Sequence, residues 1–131
     1  MAVRWICNVR EWPLVILELP PGSDAREVDQ ESFYEQVGEL LAKGERFATM
    51  HDVRSAGRLD AVRRRRFAEW VRTNEPLLRR TLIAHAAVVS SGLQQGVITA
   101  LLWVIRAPAP MRVFTDPDDA RAWLRERVAA E

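Results

Sequence analysis

The chain has 131 residues, 48% of them hydrophobic, enough for one domain with an ordinary buried core and too little for two, so residues 1–131 are read as a single domain. Its 19 Lys plus Arg stand against 18 Asp plus Glu, and a chain so balanced has no overall field to draw it to nucleic acid or an anionic membrane. With Cys7 as the sole cysteine, an intrachain disulfide and a cysteine metal cluster are both excluded.

In chain order, the apolar stretches Val3 to Val9 and Leu14 to Leu19 are separated by Arg10-Glu11-Trp12-Pro13 and read as two strands joined tightly. The segment carries Arg4 and Arg10 and has no apolar run of signal-peptide length, which makes the cytoplasm the default location. Leu14-Val15-Ile16-Leu17 does not alternate, so both faces of the second strand should be covered, as in a central strand between helices. Pro20-Pro21-Gly22-Ser23-Asp24 breaks the pattern. Val28, Phe33, Val37, Leu40 and Leu41 then share a helical face that ends at Lys43-Gly44. Arg46 to Val53 is expected as a third strand and Arg54 to Arg58 as a polar loop.

From Leu59, the positions Val62, Phe67, Trp70 and Val71 restore the helical period, and Pro76 should end or kink that helix. Leu82 to Val89 is a continuous apolar run, a fourth strand buried on both faces. Ser91-Gly92-Leu93-Gln94 has capping-box spacing for a third helix to about Ile105. The uncharged stretch Leu82 to Ile105 is interrupted by Ser90-Ser91-Gly92 and Gln94-Gln95, which argues against a membrane span. Met111 to Phe114 is a fifth strand. Asp116-Pro117-Asp118-Asp119 opens a last helix through Trp123, Leu124 and Val128.

The resulting β-β-α-β-α-β-α-β-α order predicts an α/β fold: a mixed, mostly parallel five-stranded sheet with helices packed against it. The order resembles that of the STAS domains, the fold of the anti-sigma-factor antagonists, and more closely the SpoIIAA-like group with its SEC14-like lipid-binding relatives. The resemblance rests on Asp52-Val53-Arg54 closing the third strand, Arg63-Arg64-Arg65-Arg66-Phe67-Ala68-Glu69-Trp70, Val88-Val89-Ser90-Ser91, and Phe114-Thr115-Asp116 with Ala120, Trp123 and Leu124. It implies a non-enzymatic regulatory or scaffolding domain that acts by protein contact. In such antagonists a second aspartate, some eight residues after the one closing the third strand, precedes a phosphorylated serine. Asp52 and Asp60 keep that spacing, but Ala61 follows and has no hydroxyl to modify. Ser55, beside Arg54 and Arg58, is the remaining phosphorylation candidate.

Partner contact is accordingly assigned to Asp52, Arg54, Ser55, Arg58, Asp60, Arg63 and Arg64. Four consecutive helical arginines, Arg63 to Arg66, fan out around the helix and cannot form one phosphate-reading face; one of them should lay its stem on apolar surface. No nucleic-acid partner is expected. The third helix is apolar nearly all round, so a second subunit, another part of the chain or an apolar ligand should cover it. Val97, Leu101, Trp103 and Val104 are the candidates for that contact, with Trp70 beside them. A homodimer is the leading expectation, and a hydrophobic small molecule held beside the third helix is the alternative. His51 and His85 do not make up a three-ligand zinc set and read as structural. No phosphate-cradling loop, serine elbow or converging acid–base pair is present, so no catalytic residue, metal or cofactor is assigned.

Overall fold

The computed structural model describes residues 2–90 and 92–131, apart from the side chains of Trp103 and Val104. The chain enters through a two-residue strand, β1 (Val3–Arg4), and continues into β2 (Ile6–Glu11) and β3 (Leu14–Glu18). β2 and β3 form an antiparallel hairpin closed at Trp12-Pro13, with a register shift between Asn8 and Glu11. A short 3-10 turn at Ala25–Glu27 leads to β4 (Val28–Asp29) and then α1 (Glu31–Ala42). Val28 therefore lies outside the helix expected around it. Its strand pairs in parallel with β1, Val3 opposite Val28, a long-range pairing that no local periodicity encodes. Gly44, at φ +73°, ends α1 as expected, its N–H donating to the Leu41 carbonyl at 3.1 Å.

β5 (Phe47–Asp52), β6 (Leu82–Val88) and β7 (Met111–Phe114) complete a five-stranded sheet of order β2-β3-β5-β6-β7, parallel from β3 onward. The expected second strand, now β3, is interior as its apolar run required, paired on both edges and buried at Leu14 to Leu17, while β5 holds the middle position. Between β5 and β6 the expected single helix is two: α2 (Ala61–Thr73) and α3 (Glu75–Thr81). Pro76 sits in the first turn of α3, where its missing N–H costs no helical bond, so the break falls at Asn74. α4 (Gly92–Ile105) and α5 (Pro117–Ala129) follow β6 and β7. Asp116 caps α5 by accepting from the Asp118 N–H at 2.8 Å.

Strand neighbours in the sheet are also neighbours in the chain, and right-handed crossovers that always step the same way put their helices on one face. The alternation of β3 and β5 divides the core accordingly. Val15, Leu17, Phe47 and Val53 join Phe33, Leu41, Val71 and Leu78 under α1 to α3, whereas Leu14, Ile16, Ala48 and Met50 face Ala120 and Leu124 of α5. All seven residues of β6 are buried, as their unbroken apolar run requires. No helix among the described residues is long and apolar enough to cross a membrane.

Candidate functional site

On the face that carries the crossover helices, the period of two brings Thr49 and His51 of β5 alongside His85 and Ala87 of β6. Beyond the sheet, between α1, α2 and α4, lies a cavity of about 350 Å³, with His51, His85 and Ala87 in its wall. It sits at the carboxyl ends of β5 and β6, where parallel α/β sheets characteristically receive ligands. Trp5, Phe33, Tyr34 and Phe67 contribute aromatic rings, Ile98, Leu101 and Leu102 close it from α4, and Arg58, Val62, Arg63 and Arg66 border it from the β5–α2 connection and α2.

Trp5 occupies the break between β1 and β2, where its backbone leaves both ladders and is taken up by α1. Its N–H donates to Ser32 Oγ at 2.9 Å and its carbonyl accepts from Gln36 Nε2 at 2.6 Å. Ser32 Oγ in turn donates to the Asp29 carbonyl. These bonds hold the indole inward, 2% exposed, edge-on to His51 with ring centroids 4.5 Å apart. Phe33 stacks on the His51 ring at 4.3 Å and lies edge-on to Trp5 at 6.2 Å. Sequence reading passed over Trp5 as one more apolar residue in a strand; the available signal was its N–H, a donor that needs an acceptor wherever the ring is buried.

The two histidines differ in kind. His85 Nδ1 lies 2.6 Å from Thr49 Oγ1, and burial lowers its pKa to about 4. It fits the structural reading. His51 keeps part of its surface toward the cavity, but protein surrounds its ring. Burial first, and then the nearby His85, hold its pKa well below 6.5, so both rings are neutral at neutral pH. Among the described residues, neither His51 Nε2 nor Trp5 Nε1 has a hydrogen-bond partner, and both atoms are buried. An unpartnered buried polar atom costs about 1–3 kcal/mol, and here two belong to adjoining side chains in one cavity wall.

Charge is confined to the borders. Arg66 lies over the Tyr34 ring at 4.5 Å and makes a bidentate pair with Glu31 at 2.8 and 3.0 Å, so it is the arginine of the run that lays its stem on apolar surface. Burial raises the Tyr34 pKa to about 12. Arg63 Nη1 donates to the Arg58 carbonyl and Arg64 Nη1 to the Leu59 carbonyl, while Arg65 points to solvent. Among the described residues no three His, Cys, Asp or Glu side chains converge on a point where a metal could sit.

The residues assigned to partner contact are divided by the structure. Arg54 pairs with Asp52 through two bonds, at 3.0 and 2.8 Å, and Ser55 is exposed in the following turn. Asp60 caps α2, accepting from the Arg63 N–H at 2.9 Å, which ties down one of its carboxylate oxygens. Arg54, Arg58, Asp60 and Arg64 border a second, shallower depression of about 460 Å³ together with Leu93 and Val97. Arg58 and Arg63 belong to the wall of the main cavity.

On α4, Leu101 is 8% exposed and lines the cavity, so it cannot anchor a second subunit. Among the described side chains of α4, the outward positions Gly96, Thr99 and Ala100 are small, and Leu93 is the exposed large apolar one. Trp103 and Val104, the other two contact candidates, lie outside the described side chains, and the proposed cap Ser91 lies outside the described residues. Gln94 does reach back as a capping-box residue would, accepting from the Ser90 N–H at 2.8 Å. Its amide also donates to the Val53 carbonyl at 2.8 Å, joining the start of α4 to the end of β5 at the cavity border.

The fold and site thus define an α/β domain with an aromatic-walled cavity at the carboxyl ends of its central strands. The chain matches no protein-family model, no curated protein and no solved structure.

Proposed function

We propose that this domain is a non-enzymatic carrier or sensor of a small, mostly apolar molecule held in the cavity beside α4. The observation that carries the reading is the cavity itself: about 350 Å³, walled mostly by aromatic and aliphatic side chains, with the polar side chains of Arg58, Arg63 and Gln94 at its border. That is the composition of a binding site, in which apolar area supplies affinity and a few polar groups set orientation. At about 30 Å³ per water-sized group the space takes a molecule of roughly a dozen such groups.

The test is the fluorescence of N-phenyl-1-naphthylamine, which brightens in apolar surroundings, titrated into the native protein and into Ala87→Leu. Ala87 is 3% exposed in β6 and lines the cavity, so the larger side chain occupies ligand space. Saturable binding by the native protein, weakened at least about tenfold in a folded Ala87→Leu, supports the reading. Absence of binding, or equal binding by both proteins, refutes it.

A second reading, a STAS-like module that works by protein contact and self-associates, draws support from the chain-consecutive strand order and from two exposed apolar side chains near the α2 start, Val62 at 71% and Leu93 at 69%. It predicts a native dimer by sedimentation that Val62→Glu with Leu93→Glu dissociates. A monomeric native chain counts against the self-association.

A further inference from the structure

We propose that the molecule held in the cavity carries an anionic head, whose carboxylate or phosphate oxygens are bound at the border by Arg58 and Arg63 while its apolar body lies inside. The inference rests on the ligand-binding reading above and specifies the ligand's class. The cavity and the shallower depression share Gly57, Arg58, Leu59 and Gln94 as lining, so the apolar space adjoins one bordered by charge. Arg58 belongs to both walls, Arg63 adds a guanidinium on the cavity side and Arg64 one on the depression side.

The protein leaves these guanidiniums without counter-ions. Arg54 pairs with Asp52 and Arg66 with Glu31, but among the described residues Arg58, Arg63 and Arg64 form no ion pair. Arg63 Nη1 and Arg64 Nη1 reach only carbonyls, of Arg58 at 3.4 Å and Leu59 at 2.7 Å. A guanidinium has several N–H donors in a fork that fits carboxylate and phosphate oxygens, so each keeps donors for an anion. The acids in the cavity wall, Asp29 and Glu31, already face Arg4 and Arg66. The first turn of α2 holds no acidic residue; it carries Arg63 and Arg64 at the end where the helix dipole favours negative charge, leaving the Asp60 cap to offset them. The sheet side of the cavity, formed by His51, His85 and Ala87, has no charged side chain, so a charged head is too costly there and belongs at the arginine border.

Four probes with one chain and different heads test this: decanoate, decyl phosphate, decan-1-ol and decylammonium, each titrated at neutral pH and low salt by displacement of N-phenyl-1-naphthylamine. At least one anion is expected to bind about tenfold more tightly than the alcohol, and the cation more weakly than either; the tighter anion identifies the head. In Arg58→Gln with Arg63→Gln the anion's advantage over the alcohol falls below about twofold. Arg65→Gln, which removes one charge from the same helix at an exposed side chain, keeps the advantage.

Should the double variant fail to fold, Arg58→Gln alone, at an exposed loop position, is expected to cut the advantage at least about threefold. An alcohol bound as tightly as both anions, a cation bound most tightly, anions that fail to displace bound N-phenyl-1-naphthylamine, or an anion preference that survives in the folded arginine variant or is lost equally in Arg65→Gln overturns the proposal while leaving the cavity reading intact. Failure of all four probes, with no response to N-phenyl-1-naphthylamine, removes the binding reading itself.

Discussion

Acidification between pH 6.5 and 4 should destabilise this fold through its two cavity histidines. In the unfolded chain each imidazole takes a proton near pH 6.5. In the folded chain burial lowers the His85 pKa to about 4 and that of His51 well below 6.5. The unfolded state therefore binds more protons throughout this window, and stability must fall as the pH drops. His85 alone should cost about 2 kcal/mol between pH 7 and pH 5, and about 3 kcal/mol once the pH reaches its folded-state value. His51 acts with the same sign. A domain of ordinary stability, about 5–15 kcal/mol, would lose a substantial fraction. Two carboxylates depressed by arginines, Glu11 by Arg121 and Arg125 and Asp24 by Arg26, contribute at lower pH, so the histidines dominate the upper part of the range. Urea unfolding at pH 7, 6 and 5 measures the loss, and histidine Cε1 proton shifts report the two titrations. Constant stability over that range, or a histidine titrating near 6.5 in the folded protein, would refute the reasoning.

Other substitutions test the frame around the site. Thr49→Val removes the hydroxyl against His85 Nδ1 and leaves a buried ring nitrogen unpartnered, so it should cost about 1–3 kcal/mol in urea unfolding; a neutral result would show that His85 finds another partner. Leu124→Ala hollows the α5 side of the sheet at a side chain with no exposure and should cost about 2–5 kcal/mol with the N-phenyl-1-naphthylamine affinity retained, since the cavity lies on the opposite face. Gly57 adopts φ +76°, and a Cβ added there would lie 2.9 Å from Ala25 Cβ. Gly57→Ala should destabilise by more than about 1 kcal/mol and weaken probe binding, because Gly57 lines the cavity and the clash is with the turn before β4; unchanged thermal unfolding would show that this loop moves freely.

Much of the frame is local, and the sequence announces local order. The apolar runs at Leu14–Leu17 and Leu82–Val88, the glycine at 44, the Asp116-Pro117 cap and the helical spacing from Val62 to Val71 each depend on neighbours within one or two turns, and each element stands where its pattern places it. The inward register of His51 and His85 follows from the same alternation. What composition could not supply was the destination of the third helix. Its residues are apolar on all sides, and only tertiary packing divides them between a wall of Ile98, Leu101 and Leu102 and an outward row of small residues.

The site depends on contacts between positions distant in the chain. Trp5 points inward because Ser32 and Gln36, 27 and 31 residues later, take up its backbone, and because the two-residue strand before it pairs with Val28 and Asp29. That pairing is too short to leave a period in the sequence. Asp60, expected on a partner surface by its spacing from Asp52, is exposed and also caps α2 by accepting from the Arg63 N–H. Local patterning thus determined which residues form strands and helices and which strand faces meet the core, since those choices turn on neighbours a few positions away. The cavity, its orphaned nitrogens and the placement of the arginines were decided by tertiary structure, because they arise where elements distant in sequence fail to fill the space between them.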